Sequence, residues 1–390
     1  VYSLASVGNE VQNQIYEGMF SQEQKRLPVS FEDWEKAANN LLAKHSFDYV
    51  AGGAGSEETV HNNRDAFKRW QIVPRMLNDV GSRDLRVHLL GHTFPHPFML
   101  APIGLQSIIH PDGEVAVAKA AAKMGVPMIV STVSSKPMEE ISAAADGSPK
   151  WYQLYWNEDP EITASFLKRA ERAGYTAIVI TLDAPVTPWK ERDLTNSYLP
   201  FMLGEGIGNY LTDPVFCKKL GCDPESDMKT TIDYWGQIFG NPKVTWDNLS
   251  FIREHTNLPI LLKGILHPND AKLALEYGVD GIIVSNHGGR QVDGSVAALD
   301  ALPEIVAAVQ NKVPILMDSG IRRGADVLKA LALGATSVLI GRPYIYGLAV
   351  AGEEGVEQVL RQLAADIDLT LALCGKNSLS SIDRSLLRRK

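Results

Sequence analysis

The chain has 390 residues, a formal net charge of −8 and 45% hydrophobic residues, enough to bury a full core. The acidic balance excludes the broad basic face that nucleic-acid binding needs, and no apolar run approaches the roughly 20 residues that span a bilayer. Cys217, Cys222 and Cys374 are too few and too irregularly spaced for a disulfide scaffold or a cysteine-rich zinc site, so they read as reduced thiols of a cytoplasmic protein with no metal centre.

Val1 to Arg26 lacks a basic start followed by an apolar core, so no secretory leader is visible, although a segment removed ahead of Val1 stays open. Residues 1 to about 45 are polar and loosely patterned, with helical spacing only from Phe31 to Leu42. Next, Phe47-Asp48-Tyr49-Val50-Ala51-Gly52-Gly53-Ala54-Gly55 puts aromatics before small residues that permit close backbone packing.

From about residue 96 a rhythm begins of short apolar strand, polar or glycine-bearing break, and amphipathic segment. The expected strands are 98–104, 128–132, 151–156, 177–183, 259–264, 281–288, 314–319 and 337–342. Helical patterns fall between them at 113–124, 160–173, 268–277, 302–309 and 323–333, and 356–373 supplies a closing helix. Eight strands alternating with helices predict a (β/α)8 TIM barrel, whose chemistry sits at the C-terminal strand ends. An open doubly wound sheet is the weaker alternative, because no G-x-G-x-x-G opens an early helix. The expected organisation is a single domain over 1–390, with an N-terminal arm at 1–95 and a barrel at 96–390. The 75 residues between Asp183 and Pro259 far exceed an ordinary barrel loop of about 2–6 residues, so 184–250 reads as a lid over the barrel mouth.

Polar residues collect where the strands end. Gln153 and Tyr155, Thr181 and Asp183, and Lys263 close three strands, and Ser285-Asn286-His287-Gly288-Gly289-Arg290-Gln291-Val292-Asp293-Gly294 follows a fourth. In that decapeptide a titratable base and a fixed cation share one tight turn, a site suited to an acid with a removable proton. Asp183 within reach of His287 would stabilise the imidazolium formed when the histidine accepts that proton. After the last two strands, Asp318-Ser319-Gly320-Ile321-Arg322-Arg323-Gly324 and Gly341-Arg342-Pro343 form glycine-bearing turns with arginines, the place where such barrels hold a phosphate.

The decapeptide resembles the signature of the FMN-dependent 2-hydroxy acid oxidising family, and the resemblance extends over roughly residues 31 to 390. It implies FMN as cofactor, a small 2-hydroxy acid and dioxygen as reactants, and a homo-tetramer or higher homo-oligomer. His287 takes the role of active-site base and Asp183 that of its partner. Arg290, Lys190, Tyr49 and Tyr155 take substrate roles. Pro102, Ile103, Gly104, Ser131, Gln153, Thr181, Lys263 and Ser285 border the flavin, and Asp318, Gly320, Arg322, Gly341 and Arg342 serve the phosphate end. The family ordinarily carries arginine where Lys190 stands, and Arg192 is a nearby candidate to compensate. Gly104, where many simple oxidases have alanine, implies space beside the flavin. The whole-chain pattern looks most like the lactate 2-monooxygenase branch, which implies acetate, carbon dioxide and water from L-lactate. A simple oxidase, a quinone- or cytochrome-linked dehydrogenase, and an FMN-binding barrel without this redox chemistry are the alternatives.

Overall fold

Eight short aliphatic runs, buried along almost their whole length, pair in parallel into a closed barrel. They are β1 (Phe98–Leu100), β2 (Met128–Ser131), β3 (Lys150–Leu154), β4 (Ile178–Thr181), β5 (Ile260–Ile265), β6 (Gly281–Val284), β7 (Ile315–Met317) and β8 (Ser337–Ile340). Each pairs with its chain neighbours, and β8 returns to β1 through Val338, Leu339 and Ile340 opposite Phe98, Met99 and Leu100. The computed structural model describes residues 6–20 and 26–390; the stretch read for a leader lies partly outside them, at 1–5 and 21–25.

Side chains alternate across the pleat. Phe98, Val130, Tyr152, Ile180, Leu262 and Ile282 face the surrounding helices in the main core. Met99, Ile129, Trp151, Val179, Leu261, Ile283, Leu316 and Leu339 form a second apolar cluster in the lumen. The barrel is therefore plugged by packing. Val87, Leu89 and Phe94, from a hairpin of Val87–Leu89 against His92–Phe94, join this cluster and close its floor.

All eight strands lie where the periodicity puts them, yet most are shorter than the sequence suggests. Residues such as 101–104, 182–183 and 285–288 leave the sheet to build loops at the mouth. The expected closing helix is the second part of Arg342–Leu373, which is broken at Ala351 and Gly352, the latter at φ +59°. A helix at Val7–Glu17, invisible as a periodic pattern, begins at the capping Ser6 and donates the Gly8 N–H to Asp368 Oδ2 (3.0 Å) on that same long helix. Between β4 and β5 lie Glu191–Thr195, Gly208–Leu211, Pro214–Leu220, Met228–Ile238 and Leu249–His255, all helical. Within this excursion Trp235 stacks on Phe201 at 4.7 Å and on Phe239 at 4.5 Å between ring centroids. Among the described residues no helix is long and apolar enough to cross a membrane.

Candidate active site

One layer above the lumen plug the strand ends turn polar. Ser131 Oγ donates to Gln153 Oε1 (3.1 Å), and Gln153 Nε2 donates to Thr181 Oγ1 (3.0 Å). Across the ring, Lys263 Nζ reaches Ser285 Oγ (3.3 Å) and the Asp318 carboxylate (3.5 Å). These groups are all buried, so each needs the partner its neighbour on the next strand supplies.

Above this ring opens a cavity of about 420 Å³, and His287 is in its wall. Its backbone sits at φ +60°, followed by Gly288 at +65° and Gly289 at +76°. A left-handed histidine is strained, and side-chain acceptors hold it there. Ser285 Oγ accepts its N–H (3.0 Å), and Ser319 Oγ accepts that of Gly288 (3.1 Å). Behind the loop, Asn286 and Asn63 exchange side-chain amide bonds of 2.6 and 2.9 Å. Gly289 admits no side chain, because a Cβ would lie 2.7 Å from the Val60 backbone nitrogen.

His287 Nδ1 lies 2.8 Å from Asp183 Oδ1, leaving Nε2 as the ring nitrogen open to a ligand. Burial, with Lys263 and Arg290 nearby, holds the imidazole below its usual pKa despite the opposing pull of Asp183. Burial works to raise the Asp183 pKa, but His287 and Lys263 outweigh it and keep the carboxyl below its ordinary range. The resting pair is thus a neutral imidazole against a carboxylate, a base that gains a counter-charge when it is protonated.

Arg290 directs Nη1 away from the opening, to the carbonyls of Tyr49 (2.6 Å), Val50 (3.3 Å) and Gly52 (3.2 Å) at the end of the helix Lys44–Ala51. Lys190 lines the same cavity, 2.7 Å from Asp193 and 4.4 Å from the centre of the Tyr49 ring. Burial and the Arg290 charge push its pKa down to about 8. Arg192 does not compensate for it: its guanidinium is taken by Glu57 (2.7 Å) and Asp48 (3.4 Å) outside the cavity wall. Tyr49 and Tyr155 also face the opening, and burial pushes both phenols up, that of Tyr49 to about 12, so both are neutral hydrogen-bond donors.

At the far end, Gly320, Arg322, Gly341 and Arg342 share the wall with Asp318. Arg342 donates to the carbonyls of Val50 (2.9 Å), Gly288 (3.0 Å) and Gly52 (2.9 Å). Arg322 stacks on Phe31 at 4.4 Å, and among the described residues its buried Nε has no partner. Burial and the neighbouring Arg342 push the Arg322 pKa down to about 9, and burial brings that of Arg342 to about 10. Two buried, close cations with an unused donor fit a phosphate, which would satisfy Nε and neutralise the repulsion. Lys263, facing the same cavity nearer His287, fits a ring system that gains negative charge on reduction.

Pro102, Ile103 and Gly104 also line the cavity, but the space expected at Gly104 lies elsewhere. A Cβ there would point to Val133, 2.5 Å from Cγ2 and 2.7 Å from the carbonyl oxygen. The glycine therefore serves a close backbone approach, sealed by Leu105 N–H donating to Val133 O at 2.9 Å. Ser131, Gln153, Thr181 and Ser285 stand behind the wall and not in it. The residues that sequence reasoning passed over are the supports: Asn63 and Asn286, Ser319, Asp193, and Gln291, whose Nε2 donates to Asp183 O at 2.7 Å. From the excursion, Leu199, Phe201, Met202, Trp235 and Phe239 complete the cavity. Asn286, Ser319 and Gln291 lie inside the quoted motifs, so motif membership was their one available signal.

The profile described as FMN-dependent dehydrogenase matches residues 38–389. An L-lactate oxidase of Lysinibacillus sphaericus (strain C3-41) is 46% identical over 359 residues, 92% of each chain. 2-Hydroxyacid oxidase 1 of Mus musculus is 41% identical over 93% of this chain and 96% of its own. Among solved structures, a mandelate oxidase superposes with a TM-score of 0.82 at 39% identity, covering 93% of this chain and 99% of the other.

Proposed function

Because this chain belongs to the FMN-dependent dehydrogenase family, and is as such an FMN-dependent enzyme oxidising 2-hydroxy acids, we propose that its substrate is a small (S)-2-hydroxy acid, L-lactate or one close to it in size, and its electron acceptor dioxygen. The observation that carries this reading is His287, 2.8 Å from Asp183 behind it, in the wall of the same cavity as the cations Arg290 and Lys190. A carboxylate held by those two cations brings the adjacent hydroxyl-bearing carbon towards His287. Tyr155, kept neutral, donates to the substrate, and His287 Nε2 takes a proton from it while Asp183 holds the resulting imidazolium. FMN supplies the two-electron oxidation; Arg322 and Arg342 would hold its phosphate, with Lys263 beside its ring. The names of the bacterial relatives support lactate.

Under this reading lactate and dioxygen give pyruvate and hydrogen peroxide. Oxidative decarboxylation to acetate, carbon dioxide and water is the second reading, favoured by the excursion residues that close over the cavity and would retain pyruvate beside the peroxide. The test is anaerobic mixing with a panel of 2-hydroxy acids while following bleaching of the bound flavin. Acetate, pyruvate and peroxide are then assayed per dioxygen consumed. L-lactate is expected to bleach the flavin faster than bulkier acids; no bleaching by any of them would end the proposal, and the product ratio decides between the two outcomes.

A further inference from the structure

A second cavity, of about 390 Å³, lies between the ends of β4 and β5 and the returning limb of the excursion. It shares Tyr155, Ala184, Pro185 and Gly240 with the first cavity, so these residues border both. The His287–Asp183 pair forms part of the partition. His287 lines the first cavity and Asp183 the second, and Asp183 Oδ2 is buried without a hydrogen-bond partner.

Their walls differ in charge. Among the described residues the first carries Lys190, Lys263, Arg290, Arg322 and Arg342 against one carboxylate, Asp318. Among the described residues the second carries Asp183 and Asp270 and no lysine, arginine or histidine. Its remaining surface is mostly apolar, including Trp156, Leu182, Val244, Trp246, Leu249 and Ile265. A carboxylate moving through it would meet like charge and an apolar wall without a counter-cation, which is unfavourable. A small neutral molecule meets neither obstacle.

We propose that this second cavity is a separate route for the neutral reactants, bringing dioxygen to the site and letting hydrogen peroxide leave while the 2-hydroxy and 2-oxo acids use the cationic cavity. The proposal rests on dioxygen being the acceptor. Two routes let oxidant arrive while an organic acid still occupies the first cavity, so the order of oxidant arrival and acid release is not dictated by one shared doorway.

Val244→Phe and Leu249→Phe narrow the second cavity at residues that do not line the first. With purified holoenzyme, the anaerobic rate of flavin reduction by L-lactate is expected to stay at the wild-type value, and the rate at which the reduced enzyme is re-oxidised by dioxygen to fall several-fold. Wild-type crystals under xenon, which occupies apolar cavities, are expected to show xenon between Trp246, Leu249 and Ile265, a readout that needs no variant to fold. Re-oxidation at the wild-type rate in variants whose crystal structures show the cavity filled, or absence of xenon from it, overturns the route. Failure of reduced wild type to react with dioxygen at all is a different result: it removes dioxygen as the acceptor, and the route with it, before any variant is compared.

Discussion

Two layers of the barrel lumen stand two residues apart, the lower on the eight strands and the upper at or just past their C-terminal ends. Met99, Ile129, Trp151, Val179, Leu261, Ile283, Leu316 and Leu339 form the lower one; Ala101, Ser131, Gln153, Thr181, Lys263, Ser285, Asp318 and Gly341 follow them. The backbone direction is the same, so the difference lies entirely in the side chains. The lower layer is all dispersion and exclusion of water. In the upper one polar side chains join across strands, Ser131 to Gln153 to Thr181, and Lys263 to both Ser285 and Asp318. The lower layer makes a floor on which buried polar groups find partners only beside or above them. That is how a barrel holds a lysine and an aspartate in its centre without a free charge in its core.

Three changes probe this division. The largest effect is expected from His287→Gln, above the polar ring. It keeps hydrogen-bonding capacity but cannot take the proton, so flavin reduction should slow by about 10²–10⁴-fold, the usual worth of a general base, with FMN retained and the unfolding midpoint unchanged. Stopped-flow reduction decides it, and a near-wild-type rate removes His287 from the chemistry. Next is Trp151→Ala in the floor, 1% exposed in the wild type. Loss of a buried tryptophan should cost about 3–5 kcal/mol of stability, read from urea unfolding. Unchanged stability would mean that the floor is not what holds the barrel together.

The smallest effect concerns Lys190. Its ammonium is present below its pKa of about 8 and is lost as pH rises through that value. KM for the 2-hydroxy acid should therefore be lowest below pH 8 and rise above it, by a factor set by one charge-assisted bond worth about 1.5–3 kcal/mol. Lys190→Arg, whose guanidinium keeps its charge, should flatten that limb of the KM profile. An identical KM profile in both proteins would place Lys190 outside the carboxylate contact.

The polar strand ends, Asp183 among them, were legible because each follows a short apolar run, and His287 and Arg290 were legible from the decapeptide around them. The choice between Lys190 and Arg192 was not. The two cations sit two residues apart, and what separates them is a pair of acids, Asp48 and Glu57, far away in the chain, that captures Arg192. Gly104 failed similarly: a glycine announces a close approach but not its direction, and here the neighbour is Val133. The helix Met228–Ile238 between β4 and β5 was not read from the sequence, and the stacking of its Trp235 on Phe201 and Phe239 emerged only from packing.

The carbonyls at the end of the helix Lys44–Ala51 serve both arginines of the mouth, Arg290 through Tyr49, Val50 and Gly52, and Arg342 through Val50 and Gly52. Cutting out the eight strands and their helices alone would carry along every motif residue after position 96. Arg290 would then have lost all three of the peptide oxygens that hold its Nη1, and Arg342 two of its three. The scaffold in which this chemistry can be transplanted or redesigned thus has its real boundary upstream of the barrel, at a helix end that contributes no strand to it.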